Sequence, residues 1–113
     1  MANFKDEICA IFPYLFDKWG FEFVDLEDDY GGNIVVAQSE TLRIGFANDR
    51  ADFFLDIGRM EETDRLVGFY EIIDQLKAAG RINAGYRHIN KMKPVSRLLE
   101  RYLPEIQTFF RDG

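Results

Sequence analysis

Residues 42–58, LRIGFANDRADFFLDIG, decide the fold, because they form two alternating apolar and polar runs on either side of a polar turn. Successive side chains of a β-strand point to opposite faces of its sheet, so this alternation is typical of strands with one buried face. We therefore predict strands over residues 42–47 and 52–57, joined as an antiparallel hairpin.

The register of this hairpin is restricted by its apolar residues, which must all lie on one face of the sheet. The register that we favour has a loop of residues 48–51. It places Arg43 opposite Asp56 and Gly45 opposite Phe54, which are favourable cross-strand pairs. An alternative register, with a two-residue turn of Asn48 and Asp49, places Arg43 opposite Phe54 instead.

Two more strands and a helix are predicted upstream of the hairpin. The strands cover residues 21–27 and 33–39, with polar turns short enough for an antiparallel meander. Before them, apolar residues recur at helical spacing from residue 4 to residue 19, with Asn3 as a suitable N-cap. Pro13 should interrupt this helix, because proline has no N–H to donate.

Two helices are predicted downstream of the hairpin. Apolar residues from Leu66 to Leu76 recur at helical spacing and indicate one helix, with Thr63 as its N-cap, Asp64 in its first turn and Gly68 in its interior. Residues 81–92 lack periodicity and are expected to form a loop. A last helix follows over residues 94–110, where the apolar spacing resumes.

The length and the order of these elements predict the fold class. A chain of 113 residues can bury enough surface for one core without disulfides or metals. The order α-β-β-β-β-α-α predicts an α+β fold, a four-stranded antiparallel meander with helices mainly on one face. We expect a single domain over residues 1–113.

The compartment is predicted from the N-terminus and from cysteine usage. The first residues include acids where a signal peptide needs bases and an apolar run, and no segment reaches the length of a membrane span. Cys9 is the sole cysteine and lies in an apolar helical run, so we predict a buried, inert thiol. A reducing cytoplasm is the expected localisation.

The charge is negative and unevenly distributed. The net charge is −6; residues 1–76 carry 17 acids and 6 bases, while residues 77–113 carry 8 bases and 3 acids. Neutralisation of phosphates needs a basic surface, so we do not expect a nucleic acid as the main partner. Six basic residues are interleaved with Tyr86 and Tyr102, as in an RNA-binding patch, but we favour an internal charge match or a protein contact for them: Arg81, Arg87, Lys91, Lys93, Arg97 and Arg101.

The most acidic stretch is residues 24–33, VDLEDDYGGN, which we predict to be a hydrated hairpin turn. It is not a calcium loop, because the twelfth residue counted from Asp25 is Val36 instead of a bidentate carboxylate. Carboxylates on a tight turn form a fixed negative patch that can attract a basic protein. The candidate binding residues of this patch are Asp25, Glu27, Asp28, Asp29, Tyr30, Glu61 and Glu62.

The sequence contains no recognisable catalytic motif, and we predict no catalytic residue, no metal and no cofactor. His88 is the only histidine, and it lies in a basic loop. Ser96 begins a helix, where it is expected to help in capping. Asp52 and Asp56 are the nearest candidates for paired carboxylates, but we expect them to form salt bridges with Arg43.

Phe54 points away from the apolar face of its strand. If the helices cover only that apolar face, Phe54 lies with Arg43 on an open face, as an aromatic anchor for a partner. If residues 94–110 fold over the other side, Phe54 is buried. Both arrangements remain open at this point.

Residues 42–58 and the terminal LLERYLPEIQTFF, residues 98–110, resemble small cytoplasmic bacterial proteins of the toxin-immunity type. The resemblance covers an L-R-hydrophobic strand, an Asp-Arg turn, a strand ending in Asp-Ile-Gly, and a terminal helix. It implies a non-enzymatic protein that binds and neutralises a cognate toxin, often a basic nuclease.

The predicted function is therefore that of a protein-binding module, monomeric or homodimeric, which recognises a basic protein through its acidic surface. One alternative is a secretion-type chaperone, which acts as a dimer. Another is a small hydrolase, which needs a concave pocket with His88 or two close carboxylates.

Overall fold

The computed structural model describes residues 3–24, 34–61, 65–83 and 85–112. Over these ranges the chain forms four helices and five strands in an α+β fold, where the sequence predicted three helices and four strands. The elements are α1 (Phe4–Ile11), α2 (Pro13–Asp17), β1 (Glu22–Val24), β2 (Ile34–Gln38), β3 (Leu42–Asp49), β4 (Asp52–Arg59), β5 (Val67–Gly68), α3 (Phe69–Ala78) and α4 (Met92–Asp112).

The N-terminal helix begins and breaks where the sequence predicts. The side chain of Asn3 accepts the backbone N–H of Asp6 at 2.9 Å, and the Asp6 carboxylate accepts the N–H of Asn3, which completes a capping box. Pro13 separates α1 from α2, with Phe12 between them in a non-helical conformation. Cys9 is exposed, contrary to the prediction, because it lies about 100° around the helix from the buried Ile8.

The sheet is antiparallel throughout, in the order β1-β2-β3-β4-β5, but both predicted registers of the central hairpin are wrong. Arg43 lies opposite Gly58, Gly45 opposite Asp56, and Ala47 opposite Phe54. The strands extend to a two-residue turn of Arg50 and Ala51. Arg50 adopts a φ of 60°, as the tightest hairpin turns require at their first central residue.

The two faces of the sheet differ in what covers them. The inner face carries the buried apolar side chains of β2, β3 and β4, which form one core cluster with side chains from all four helices of the described chain. The outer face carries the alternate side chains. Those of β2, β3 and β4 are Ile34, Val36, Gln38, Arg43, Gly45, Ala47, Phe54, Asp56 and Gly58.

The start of α3 differs from the prediction. The helix begins at Phe69, with Gly68 as its N-cap at φ −60° and ψ 141°, so Gly68 is not in the helix interior. Val67 and Gly68 pair with β4 as the short strand β5, and this pairing keeps the chain extended where a helix was expected. The predicted cap, Thr63, lies outside the described residues.

The chain before β5 crosses part of the outer face. A Cβ atom added at Gly58 would lie 2.6 Å from the Arg65 carbonyl oxygen and 2.9 Å from Leu66 Cδ2, and one added at Gly45 would lie 3.4 Å from Leu66 Cδ1. The two strand glycines therefore make room for Arg65 and Leu66, as glycines do where another backbone approaches closely.

Ser96 joins α4 to the break between α1 and α2, instead of capping α4 as predicted. Without Pro13 a helix would use the Ile11 carbonyl for the N–H of Leu15, but that N–H bonds to Phe12. The buried Ser96 hydroxyl donates to the Ile11 carbonyl at 2.7 Å. The Tyr14 hydroxyl donates to the Ser96 carbonyl at 2.7 Å, and burial raises the pKa of Tyr14 far above its usual value.

Candidate functional site

Most of the predicted acidic patch lies outside the described residues. Asp25, Glu27, Asp28, Asp29 and Tyr30 belong to residues 25–33, and Glu62 belongs to residues 62–64. The remaining member, Glu61, is exposed just after β4. The acidic patch as a binding site therefore stays a prediction from the sequence.

The outer face carries an exposed apolar row across three strands. Ile34 of β2 lies opposite Ala47 of β3, and Ala47 lies opposite Phe54 of β4. Neighbouring strands are about 4.8 Å apart, so the row is about 10 Å long. Ile34 is 42% exposed and Phe54 is 41% exposed, which identifies the row as a large apolar feature outside the core. We call Ile34, Ala47 and Phe54 the apolar row.

The apolar row lies near the end of the sheet that carries the β3–β4 turn, which we call the hairpin end. Strands β1 to β4 alternate in direction, so Val24 and Ile34 lie towards this end, and residues 25–33 connect them. Asp49 and Asp52 flank the β3–β4 turn and are exposed. Asp49 and Asp52 are therefore the described acids at the end of the sheet where the row lies.

Arg43 and Phe54 share the outer face, as one of the two open predictions had it, but they are not neighbours. Arg43 lies four residues along β3 from Ala47, the partner of Phe54, which corresponds to about 13 Å. The Arg43 guanidinium donates from Nη2 to Gln38 Oε1 at 3.2 Å. The prediction that Phe54 lies beside Arg43 depended on the two predicted registers of the hairpin. The observed turn of Arg50 and Ala51 excludes both of them.

The predicted salt bridges of Arg43 with Asp52 and Asp56 are also absent from the described part of the chain. Asp52 lies 3.6 Å from Lys91 Nζ, and the same amine donates to the Ala51 carbonyl. Asp56 is half-buried beside Gly68, and burial raises the pKa of its carboxyl group. The two carboxylates therefore have separate environments, which does not suit a shared catalytic role.

A cluster that the sequence analysis missed joins α3 to the segment of residues 85–91. The rings of Tyr70 and His88 stack with centroids 4.7 Å apart, and those of Tyr86 and His88 with centroids 5.8 Å apart. Asp74 accepts a hydrogen bond from the Tyr86 hydroxyl and lies 3.1 Å from His88 Nε2. We call these four residues the Tyr-His-Asp cluster.

The electrostatics of the Tyr-His-Asp cluster follow from these bonds. The hydrogen bond from Tyr86 and the neighbouring His88 lower the pKa of the Asp74 carboxyl group. Desolvation, and then the bond to Asp74, raise the pKa of Tyr86 to about 12. The Tyr70 hydroxyl donates to the Ile89 carbonyl at 2.7 Å, which holds the segment on α3.

The Tyr-His-Asp cluster has the composition of an acid-base site but the position of a surface clamp. The side chains of His88 and Asp74 are 55% and 49% exposed, whereas acid-base catalysis is favoured where water is excluded. The hydroxyl that Asp74 binds belongs to Tyr86, and its raised pKa makes it a weak nucleophile at neutral pH. These contacts hold residues 86–89 against α3 and do not form a catalytic arrangement.

Two sequence signals pointed to the Tyr-His-Asp cluster without identifying it. Tyr70 and Asp74 are four residues apart, so they share one face of α3. Tyr86 and His88 are two residues apart, so an extended chain presents them on one side. The pairing of the two sets across residues 75–85 depends on the path of the loop, which carries no periodicity.

The described residues contain no group of three or more His, Cys, Asp or Glu side chains placed to hold a metal ion. In the same ranges, no helix is long and apolar enough to cross a membrane. Comparisons of the chain with models of protein families, with curated proteins and with solved structures found no match. The resemblance to toxin-immunity proteins thus remains a prediction from residues 42–58 and 98–110.

Proposed function

We propose that this protein is a non-enzymatic binding module that uses the outer face of its sheet, at the hairpin end, to bind a basic protein. The observation that carries the proposal is the apolar row, in which two large side chains, Ile34 and Phe54, lie on either side of Ala47 and are each about two-fifths exposed. Exposed aromatic and aliphatic side chains on a rigid sheet are typical of interface anchors.

The size of this contribution is worked from the exposed area of Phe54. A phenylalanine side chain offers about 200 Å² in all, so an exposed fraction of 41% leaves about 80 Å² for a partner to cover. At about 25 cal/mol per Å², covering it stabilises a complex by about 2 kcal/mol. That value reaches the range of an interface hot spot.

The acids at the hairpin end, and those next to Ile34 in the sequence, favour a basic partner. Asp49 is exposed at the hairpin end, and residues 25–33 bring four carboxylates into the connection that ends at Ile34. Negative charge next to an apolar anchor accelerates association with a positive surface and makes it depend on salt. The same combination suits the toxin-immunity role that the resemblance implies, in which the protein covers a basic toxin.

A capture experiment with matched variants tests this proposal. The immobilised protein is exposed to a lysate of the source organism, and the captured partner is identified and then titrated by calorimetry. Phe54→Ser and Ile34→Ser should each weaken binding about tenfold or more, because each removes an apolar anchor. Ile89→Ser is the control, since Ile89 is 40% exposed but lies on the segment of residues 85–91.

The acidic contribution is tested separately with Asp25, Glu27, Asp28 and Asp29 changed to Asn or Gln. This variant should bind the partner more slowly and with a weaker dependence on salt. If the variants of the apolar row bind as well as the control variant, the outer face is not the binding surface. If only the acidic variant retains full binding, the partner is not selected by charge.

The secretion-type chaperone remains the alternative, since an apolar row also suits contact between two copies of the chain. Light scattering separates the two roles. We expect a monomer, whereas a stable dimer that Phe54→Ser dissociates would favour the chaperone.

A further inference from the structure

A cavity of about 480 Å³ lies at the end of the sheet opposite the hairpin end. It is formed by the end of β4, the chain that leads into β5, the chain after α3 and the last turn of α4. Among the described residues, those that line it are Arg59, Arg65, Val67, Arg81, Phe109, Phe110 and Asp112. The volume lies within the range of sites for small molecules.

The described lining of the cavity is basic, although the protein as a whole is acidic. It contains three arginines, from three separate parts of the chain, and one aspartate. Each guanidinium presents a planar fork of N–H donors, whose geometry matches the oxygens of carboxylates and phosphates. Three such groups around one space are the arrangement expected of a site for an oxyanion.

Capping of α4 accounts for Arg59 but not for the other two arginines. Arg59 Nε donates to the Phe110 carbonyl oxygen at 2.7 Å, in the last turn of α4, where carbonyls lack intrahelical partners. This bond fixes the Arg59 guanidinium at the cavity wall. In residues 3–24, 34–61, 65–83 and 85–112, neither Arg65 nor Arg81 donates to a carbonyl of α4.

Arg81 and Arg65 remain accessible to an anion. Arg81 Nη2 lies 3.7 Å from Asp112 Oδ2, and both side chains are more than one-third exposed, so this ion pair is weak and easily displaced. Arg65 is exposed and forms no ion pair within the described ranges. Among the described residues, an entering oxyanion would therefore break no strong interaction of either side chain.

One wall of the cavity is apolar. Phe109 and Val67 are half-buried and Phe110 is nearly buried, and all three line the space. An inorganic anion would leave this wall in contact with water. A ligand that carries an apolar body beside its oxyanion would cover the wall and satisfy the guanidinium groups together.

We infer that this cavity binds a small organic oxyanion. Its carboxylate or phosphate group contacts Arg65 and Arg81 beside the fixed guanidinium of Arg59, and its apolar body lies against Phe109 and Val67. The site is separate from the apolar row, which lies at the other end of the sheet. It adds a small-molecule ligand to the proposed protein-binding function and does not depend on that function.

Nuclear magnetic resonance titration of the full chain tests this inference. The probes are phenyl phosphate, benzoate, inorganic phosphate and the neutral benzyl alcohol. We expect saturable shifts of the backbone amides of residues 65–67, 81 and 109 with phenyl phosphate or benzoate. The stronger of these two ligands identifies the oxyanion, and both inorganic phosphate and benzyl alcohol should bind more weakly than it.

Matched variants complete the test. Arg65→Gln and Arg81→Gln should each raise the Kd of the bound aromatic anion about tenfold or more, because each removes charge-assisted hydrogen bonds. Arg97→Gln removes the same charge from an exposed position on α4 outside the cavity, so it should leave the Kd unchanged. A well-dispersed spectrum verifies that each variant is folded.

Three results would overturn the inference. Shifts that stay linear up to high ligand concentration would mean that no site exists. Equal weakening by Arg97→Gln would mean that the anions respond to overall charge. Benzyl alcohol binding as tightly as the anions would mean that the arginines play no part.

Discussion

Replacement of Gly58 by alanine tests the position of Arg65 and Leu66 on the outer face, which limits the area open to a partner. The new methyl group would lie 2.6 Å from the Arg65 carbonyl oxygen and 2.9 Å from Leu66 Cδ2. The leucine methyl group can rotate away. The carbonyl cannot, because it lies two residues before the strand that pairs with β4.

The expected loss of stability follows from two opposing effects. Overpacking of this kind costs about 1–3 kcal/mol. Replacing a glycine in a strand raises the free energy of unfolding by about 0.5–1 kcal/mol, since the unfolded chain becomes less flexible. Gly58→Ala should therefore lower the free energy of unfolding by about 1–2 kcal/mol.

Gly45→Ala is the matched control, on the neighbouring strand and against the same leucine. Its methyl group would lie 3.4 Å from Leu66 Cδ1, which is an ordinary contact. This variant should keep the stability of the original protein or gain up to about 1 kcal/mol. Urea unfolding followed by the fluorescence of Trp19, the only tryptophan, measures both variants. The reasoning fails if Gly58→Ala is as stable as Gly45→Ala.

Three further predictions concern buried or titrating polar groups. Ser96→Ala should lower the free energy of unfolding by about 1–3 kcal/mol in urea, because it leaves the Ile11 carbonyl without its donor; an unchanged midpoint would contradict this. The pKa of Tyr86 is raised to about 12, so its bond to Asp74 stabilises the fold below the usual tyrosine pKa and is lost as the pH rises through 12. In an absorbance titration, Tyr86→Phe should lose amplitude near pH 12 and keep the amplitude near pH 10, and a loss near pH 10 instead would refute the bond. Burial raises the pKa of Asp56, so its ionised form opposes folding and this cost grows as the pH rises through the folded pKa. Asp56→Asn should therefore exceed the original protein in urea midpoint at pH 7 but not below pH 3.8, the ordinary pKa of the group; a lower midpoint at pH 7 would contradict the sign.

The sequence predicted the elements of the central hairpin and the identity of its buried face, because alternation reports which side of a sheet each residue occupies. It did not predict the register, since shifting the pairing by two residues preserves every face. The register is decided by the positive φ of Arg50, and arginine is not a residue typical of such a turn. The apolar row followed from the observed register and was therefore missed.

Contacts between distant segments account for the other differences. Strand β5 has two residues, too few for any periodic signal, yet its pairing displaces the start of α3 to Phe69. Gly58 was visible in the sequence, but nothing there indicated that Arg65 would lie above it. The Tyr-His-Asp cluster likewise depends on the path of the loop between Tyr70 and His88.

The covering of the β4 edge restricts how a partner can be recognised. Val67 and Gly68 pair with one part of this edge, and the Asn90 carbonyl accepts the N–H of Phe53 at 2.9 Å further along. A peptide therefore finds little free main chain there on which to dock as an additional strand. At this edge, the proposed recognition of a partner would instead depend on the shape and chemistry of side chains, which suits a folded partner better than an extended segment.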